Sequence, residues 1–458
     1  MNKITTILLL SLCISCSESS KKMKNNQKED EQVTLMTLDP GHFHAALVQK
    51  TMYPEVDSTI YVFAPEGPEV EDFLNKIASY NSRVESPTHW KVETSFGEDY
   101  LEQMIAKRPG NVMIVAGKNS QKIDYILEAV KAGINVYADK PLVINPEGFQ
   151  KLEEAFKIAE EKGVLIYDIM TERFEVTTDM QRLLSAVPNV FGEIMEGSIE
   201  EPAISKESVH HFFKYVSGEP LVRPAWFFDV NEEGEGIVDV TTHLVDMVQW
   251  ELFPEQIINK SDIEMISAKR WATDLTLEEF SKVTGLDYFP DYLKKDIEGD
   301  KLKVYCNGEM IYKIKGKYAK VSVIWDFQAP EGTGDTHYSI MRGTKSDLII
   351  KQGEEENFKP TLYVKQKGKA DVDAAITVAL EGDIAAIYPG TTSEKISDGY
   401  WKINIPEKFK IGHEAHFAQV TQNYLRYLKE GKLPKWEVPN MLAKYYTTIE
   451  GYKMAKGE

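Results

Sequence analysis

Asp239 and His243 stand four residues apart in the stretch Gly234 to Trp250, GEGIVDVTTHLVDMVQW. On a helix that spacing puts a carboxylate and an imidazole on one face, one turn from each other, as an acid/base pair requires. A histidine titrates near neutrality and suits proton transfer at a reacting hydroxyl. Gly234 and Gly236 lie just ahead, with Trp226-Phe227-Phe228 further upstream, so the pattern predicts a loop with aromatic walls feeding a helix that starts near Asp239. The same spacing also serves a polar network on a packed helix, and the surrounding elements must decide between the two.

The elements begin at Val33 to Leu38, a strand, followed by the turn Asp39-Pro40-Gly41 and a helix over His42 to Lys50. Further strands are expected at Ser58 to Ala64, Asn111 to Ala116 and Asn135 to Ala138, with a helix at Gln121 to Ala132. Alternating strands and helices predict an α/β, doubly wound parallel sheet that opens like a dinucleotide fold and binds ligands at the carboxyl ends of its strands. Of the phosphate-binding pattern G-x-G-x-x-G only Gly41 is in place. Backbone N–H groups around Gly41, His42 and Phe43 could still hold a pyrophosphate, provided the Asp39 carboxylate turns away or is paired. Glu66, two residues past the second strand, is placed to reach ribose hydroxyls, and Ala116 and Asn119 follow the third predicted strand on the cofactor side. His42 and His44, two apart on a predicted helix, should point away from each other, so no shared metal is expected; His44 reads as packed or phosphate-side.

After the fourth predicted strand comes Tyr137-Ala138-Asp139-Lys140-Pro141, and here the chain resembles the glucose-fructose oxidoreductase/inositol dehydrogenase/MocA family. That family has a Glu-Lys-Pro-like motif after a Rossmann strand; Asp139 stands where Glu is usual. Val164 to Arg173, Gly192-Glu193-Ile194, the Asp239 to His243 run, Gly343 to Ile350 and the closing His413 to Lys456 match the family's later landmarks in order. The resemblance implies a nicotinamide cofactor, NAD or NADP, tightly retained, with Asp139 and Lys140 beside it. It also implies catalytic roles for Lys140, Asp239 and His243: the histidine takes the hydroxyl proton, the lysine holds the same oxygen, and the aspartate orients the imidazole or binds a neighbouring hydroxyl. Arg173, His210, His211, Arg223 and Trp226 are candidates for contact with a carbohydrate substrate.

From about Asn189, runs such as Lys301 to Tyr305, Met310 to Ile314, Lys320 to Phe327, Ser346 to Lys351 and Thr361 to Lys365 alternate with turns and predict a large, open, mainly antiparallel sheet. In the resembled family such a sheet floors the substrate site and often pairs subunits, which implies a homo-oligomer. Residues 261–299 read as an inserted helical segment over it. His413 and His416 have a spacing that can bind a metal but lack H-E-x-x-H order, so helix-start polar contacts are expected and no metal.

A chain of 458 residues, 42% hydrophobic, has material for two cores. The expected organisation is a signal over 1–16, a flexible tether over 17–31, a cofactor domain over 32–175, an α+β substrate domain over 176–410 and closing helices over 411–458. Net charge is −19, which argues against nucleic acid or an anionic membrane surface as ligand. Met1 to Cys16, MNKITTILLLSLCISC, resembles a bacterial lipoprotein signal with Cys16 as the lipidated residue, so a periplasmic or outer-membrane location is expected, with the membrane touched only through the lipid. The body keeps one cysteine, Cys306, which excludes an internal disulfide framework. These readings favour an NAD(P)-dependent oxidoreductase acting on a sugar, sugar acid or polyol. The alternatives are an NAD-dependent glycoside-cleaving enzyme that reoxidises its own cofactor, and a sugar-binding lipoprotein without catalysis.

Overall fold

Two β-sheets carry the chain in a computed structural model that describes residues 32–216, 219–368 and 371–458. The expected leader and tether, Met1 to Glu31 with Cys16, lie outside the described residues. The first sheet contains β1 (Leu35–Leu38), β2 (Thr59–Ala64), β3 (Lys91–Phe96), β4 (Val112–Val115), β5 (Asn135–Asp139) and β6 (Ile166–Ile169), in the order β3-β2-β1-β4-β5-β6. All its pairings are parallel. LMTL in β1 and VMIV in β4 are buried at every position, as strands covered by helices on both faces must be. β3 was not anticipated: KVETSF exposes most of its side chains at the sheet edge and lacks an apolar run.

Helices α1 (His44–Val48), α2 (Pro68–Ser82), α3 (Tyr100–Lys107), α4 (Asn119–Lys131), α5 (Pro146–Lys162) and α6 (Val176–Ser185) follow in turn. α5 shows the local logic. The Asn145 side chain accepts the Gly148 N–H, Pro146 fills the first turn, and Gly163 closes the helix at φ 67°. The helix expected over residues 42–50 is shorter, because the His42 N–H donates to the Ala116 carbonyl and holds His42 off the helix.

The second sheet has ten strands: β7 (Ile204–Phe213), β10 (Ile263–Thr276), β11 (Ile297–Glu298), β12 (Lys301–Ile314), β13 (Lys317–Gln328), β14 (Thr336–Arg342), β15 (Ser346–Lys351), β16 (Thr361–Gln366), β17 (Thr392–Ser397) and β18 (Tyr400–Asn404). A separate short pair is β8 (Tyr215–Val216) with β9 (Glu219–Pro220). The order is β10-β12-β13-β7-β14-β15-β16-β18-β17, with β11 beside β12; β13 and β7 run parallel and the other pairs antiparallel. Residues 261–299 are not a helical insertion: their first half is the edge strand β10, and only α8 (Leu277–Thr284), capped by Thr276 and Glu279, is an α-helix. The runs at Lys301 and Met310 form one strand across Cys306-Asn307-Gly308.

α7 (Thr241–Leu252) packs on β7 and β13; α9 (Asp373–Glu381) lies beside β17 and α10 (Asp383–Ile387) against α9. α11 (His413–Glu430) covers α1 and β6, and α12 (Glu437–Lys456) lies against α5, α7 and β10. A buried ionic network ties α12 in. Lys444 bonds Asp168 of β6 at 2.7 Å and Asp246 of α7 at 2.9 Å, while Arg173 forks onto Asp246 and reaches Glu437 at 2.9 Å. Among the described residues no helix is long and apolar enough to cross a membrane.

Candidate active site

β5 ends in Asp139, and the chain turns at once through Lys140 and Pro141 into the buried Leu142-Val143-Ile144. The turn is held from beneath by Lys122 of α4, whose buried Nζ donates to the carbonyls of Asp139 (2.9 Å) and Pro141 (3.1 Å) and to Asn119 Oδ1 (2.5 Å). Burial pushes the Lys122 pKa down to about 8 against the opposing pull of Asp139 and Glu233. Lys140 emerges from this turn and meets Asp239 Oδ1 at 2.5 Å. Burial alone would lower the Lys140 pKa, but the carboxylates of Asp239, Asp139 and Glu233 outweigh it, so the ammonium is held charged.

Asp239 comes from a segment clamped to the first sheet. The Ser120 N–H donates to the Glu232 carbonyl at 2.9 Å and the Asn119 amide to that of Glu233 at 2.7 Å. Beyond the clamp, Gly236 crosses β12 so closely that a Cβ there would stand 1.7 Å from the Cys306 carbonyl oxygen, and one on Gly308 would stand 2.7 Å from Ile237. α7 starts at Thr241, two residues after Asp239. The expected alignment of Asp239 under His243 is therefore replaced: the carboxylate faces Lys140, and the buried His243 Nδ1 has no hydrogen-bond partner. Burial, reinforced by Lys140 and His413 and opposed by Glu172, pushes the His243 pKa down to about 3. The site thus joins a neutral imidazole, able to accept a proton, to a fixed ammonium, able to hold a developing oxyanion.

The expected cofactor residues line the carboxyl ends of β1, β2 and β4. Asp39, Pro40, Gly41, Glu66, Lys118 and Trp226 border a cleft of about 70 Å³. A Cβ on Gly41 would touch the Gly117 Cα and the Trp226 ring, both at 3.4 Å, so two facing glycines leave a cradle that a side chain would fill. The Trp226 Nε1 is buried without an acceptor. Asp39 adopts φ 46°, takes the Tyr125 hydroxyl at 3.2 Å, and has its carboxyl pKa raised by burial. Ala116 receives the His42 N–H, the Phe43 ring lies tilted against His42 and edge-on to His44, and Asn119 is spent on the clamp. His42 and His44 do not point apart. With His42 outside the helix, both rings turn toward Asp139, at 3.7 and 2.9 Å from its Oδ2.

The substrate candidates divide. His210 lies on Trp325, between Ser208 Oγ (3.0 Å) and Asp335 Oδ2 (3.1 Å), and His211 and Lys214 share the same Asp335. Arg173 is committed to Asp246 and Glu437. Arg223 is committed to the carbonyls of Phe212 and His211 and to the faces of Phe227 and Trp325. A larger cavity of about 530 Å³, lined by His211, Phe327 and Thr336, contains none of Lys140, Asp239 or His243. Charge and proton chemistry converge instead at the end of β5.

Residues not anticipated here include Glu172, which takes His413 at 3.2 Å, and His337, whose buried Nε2 is unpartnered. Lys122 did leave a signal: with Asn119, Ile123, Ile126 and Val130 it falls on the buried stripe of α4.

Burial holds His243 and His337 down to about 3 and His416 to about 4, against an ordinary value of 6.5. The unfolded chain therefore takes up protons that the fold refuses as pH falls below 6.5. Stability is full above that value, falls by about 1.4 kcal/mol per pH unit for each such histidine, and levels below their folded values. Urea unfolding across this window is expected to show the loss, and His416→Gln to flatten it; an unchanged slope in the variant would remove His416 from the account.

Residues 42–168 match the family profile "Oxidoreductase family, NAD-binding Rossmann fold", and residues 180–456 match "Putative oxidoreductase C terminal domain". A solved structure described as a putative oxidoreductase from Parabacteroides merdae is 57% identical over 93% of this chain and 98% of that one, with a TM-score of 0.91. Levoglucosan dehydrogenase in complex with NADH and levoglucosan is 12% identical, covering 93% and 98%, with a TM-score of 0.58. GenD2 from gentamicin A biosynthesis, in complex with NAD, is 14% identical, covering 93% and 95%, at 0.56. At these identities the last two show the shared fold. Among curated proteins no sequence matches.

Proposed function

The chain belongs to the glucose-fructose oxidoreductase/inositol dehydrogenase/MocA family of NAD(P)-dependent oxidoreductases, and from that premise we propose that it oxidises a secondary hydroxyl of a sugar, sugar acid or polyol. The observation that carries the reading is the Lys140–Asp239 pair at 2.5 Å beside a neutral, unpartnered His243. When bound, the nicotinamide accepts hydride. His243 accepts the hydroxyl proton, Lys140 holds that oxygen as charge develops, and Asp239 keeps the ammonium in place. The carbohydrate class is supported by the levoglucosan dehydrogenase fold match.

The cleft suits a dinucleotide in its glycine cradle and in the free Trp226 N–H. Asp39, Glu66 and Glu69 face a single cation there, Lys118, which favours the ribose hydroxyls of NAD over the 2′-phosphate of NADP. NAD is expected to raise the melting temperature more than NADP. Gly41→Val, whose branched side chain collides with Gly117 and Trp226, is expected to lose that shift, and Asp39→Gly to keep or enlarge it. A wild-type chain indifferent to both nucleotides would refute the reading. With a carbohydrate panel, net oxidation matched by cofactor reduction is expected; hydrolysis without it would favour glycoside cleavage.

A further inference from the structure

His42 follows β1 at the turn, His44 opens α1, and Asp139 closes β5, so two neighbouring histidines meet a carboxylate from a strand end two places along the sheet, with β4 between. One ligand atom from each lies within 4.8 Å of the others. The His44 Nδ1 to Asp139 Oδ2 distance, 2.9 Å, is a hydrogen bond that would exist without any ion. The His42 Nδ1 distance, 3.7 Å, is too long for one, and its only short neighbour is the His44 N–H at 3.3 Å. Four ligands about 2.0–2.1 Å from a central ion stand roughly 3.3–3.4 Å apart from one another. The two measured separations bracket that edge.

Donor chemistry agrees. Two imidazoles and a carboxylate are ligand types of such an ion, and the His44 ring already hydrogen-bonds the Asp139 carboxylate. Lys122, Lys140 and Arg223 bring positive charge to the cluster, beside Asp139 itself and the Asp239 carboxylate that pairs with Lys140. The side chains of His42 and His44 keep 19% and 11% of their exposure, which leaves a path for an ion and for a water or substrate oxygen in an open position.

We propose that His42, His44 and Asp139 bind a divalent first-row transition metal, through two imidazoles and one carboxylate with at least one position open. The donor set suits Zn²⁺ with an exchangeable ligand and, as a two-histidine, one-carboxylate face, Fe²⁺. The proposal stands apart from the oxidoreductase reading, since binding is measured without turnover.

The test is titration of the chelator-treated full chain with Zn²⁺, and with Co²⁺ followed by its visible absorption, beside metal analysis of the protein as purified. One saturable equivalent is expected. His42→Ala, which gives up only the His44 N–H contact at 3.3 Å, should weaken binding by more than about 100-fold, beyond the 10–100-fold typical of outer neighbours, with Asp139→Asn agreeing where it folds. His413→Ala, altering the ring whose centroid lies 5.8 Å from that of His44, should change it less than about tenfold. A wild-type chain without a one-equivalent site overturns the proposal regardless of any variant. So does binding that survives His42→Ala or disappears with His413→Ala, which marks an adventitious surface ion. Fe²⁺ added anaerobically in competition with Zn²⁺ identifies which of the two ions the site prefers.

Discussion

Lys140→Met is expected to lower kcat/KM by about a thousandfold and, separately, to cost of order 3 kcal/mol of stability. The two losses have different origins. Turnover falls because the ammonium proposed to hold the oxygen is gone, while stability falls because Asp239, only 5% exposed, loses its ammonium and is left among Asp139 and Glu233. The double variant Lys140→Met/Asp239→Leu removes the stranded carboxylate as well, so it should regain most of the stability and none of the turnover. His243→Asn is the complementary case. Its Nδ1 makes no hydrogen bond, so stability should stay within about 1 kcal/mol of wild type while kcat drops by about 10²–10⁴. Urea unfolding and initial rates of cofactor reduction on the four proteins read both quantities. If His243→Asn unfolds in step with its loss of rate, the histidine is a packing residue and the proton must go elsewhere.

Gly236→Ala should be the most damaging single methyl in the chain. The added Cβ would lie 1.7 Å from the Cys306 carbonyl oxygen and 2.3 Å from its carbon, and both are main-chain atoms of a strand paired on both sides. The Gly236 N–H also donates to the Tyr305 carbonyl at 3.1 Å, so the two main chains cannot part without losing that bond, and a loss above about 4 kcal/mol is expected. Gly334→Ala, with nothing within 4 Å of its added Cβ, should stay within about 0.5 kcal/mol. A Gly236→Ala protein with wild-type urea resistance would show that the segment before α7 is free to lift off β12.

The contrast between these glycines also shows where sequence reading succeeds. Buried runs such as VMIV of β4 and the alternation in Lys320 to Phe327 declare themselves, because burial on one or both faces dictates residue type locally. The residues that meet at the end of β5 were legible as types, and Lys140 with Asp239 and His243 could be named through the order of motifs. Their partners could not. Asp239 pairs with a residue 99 positions away, a choice made by where the chain crosses β12 and not by its spacing from His243. The same limit hid the convergence of His42 and His44: the helix was predicted to include both, and a single hydrogen bond from the His42 N–H to Ala116 excludes one. Edge strands β3 and β10 were missed or misread because their exposed faces carry no apolar pattern.

Lys444 gives the fold a schedule as well as a bond. The sixth strand of the first sheet carries Asp168, whose cation is supplied 276 positions later. At about 5–20 residues per second a ribosome needs roughly 15–55 s to span that interval. Arg173 waits in the same way for Asp246 and then Glu437. Throughout that time the nascent first sheet holds an acid destined for burial without its cation, so the half of the protein that is synthesised first is finished last.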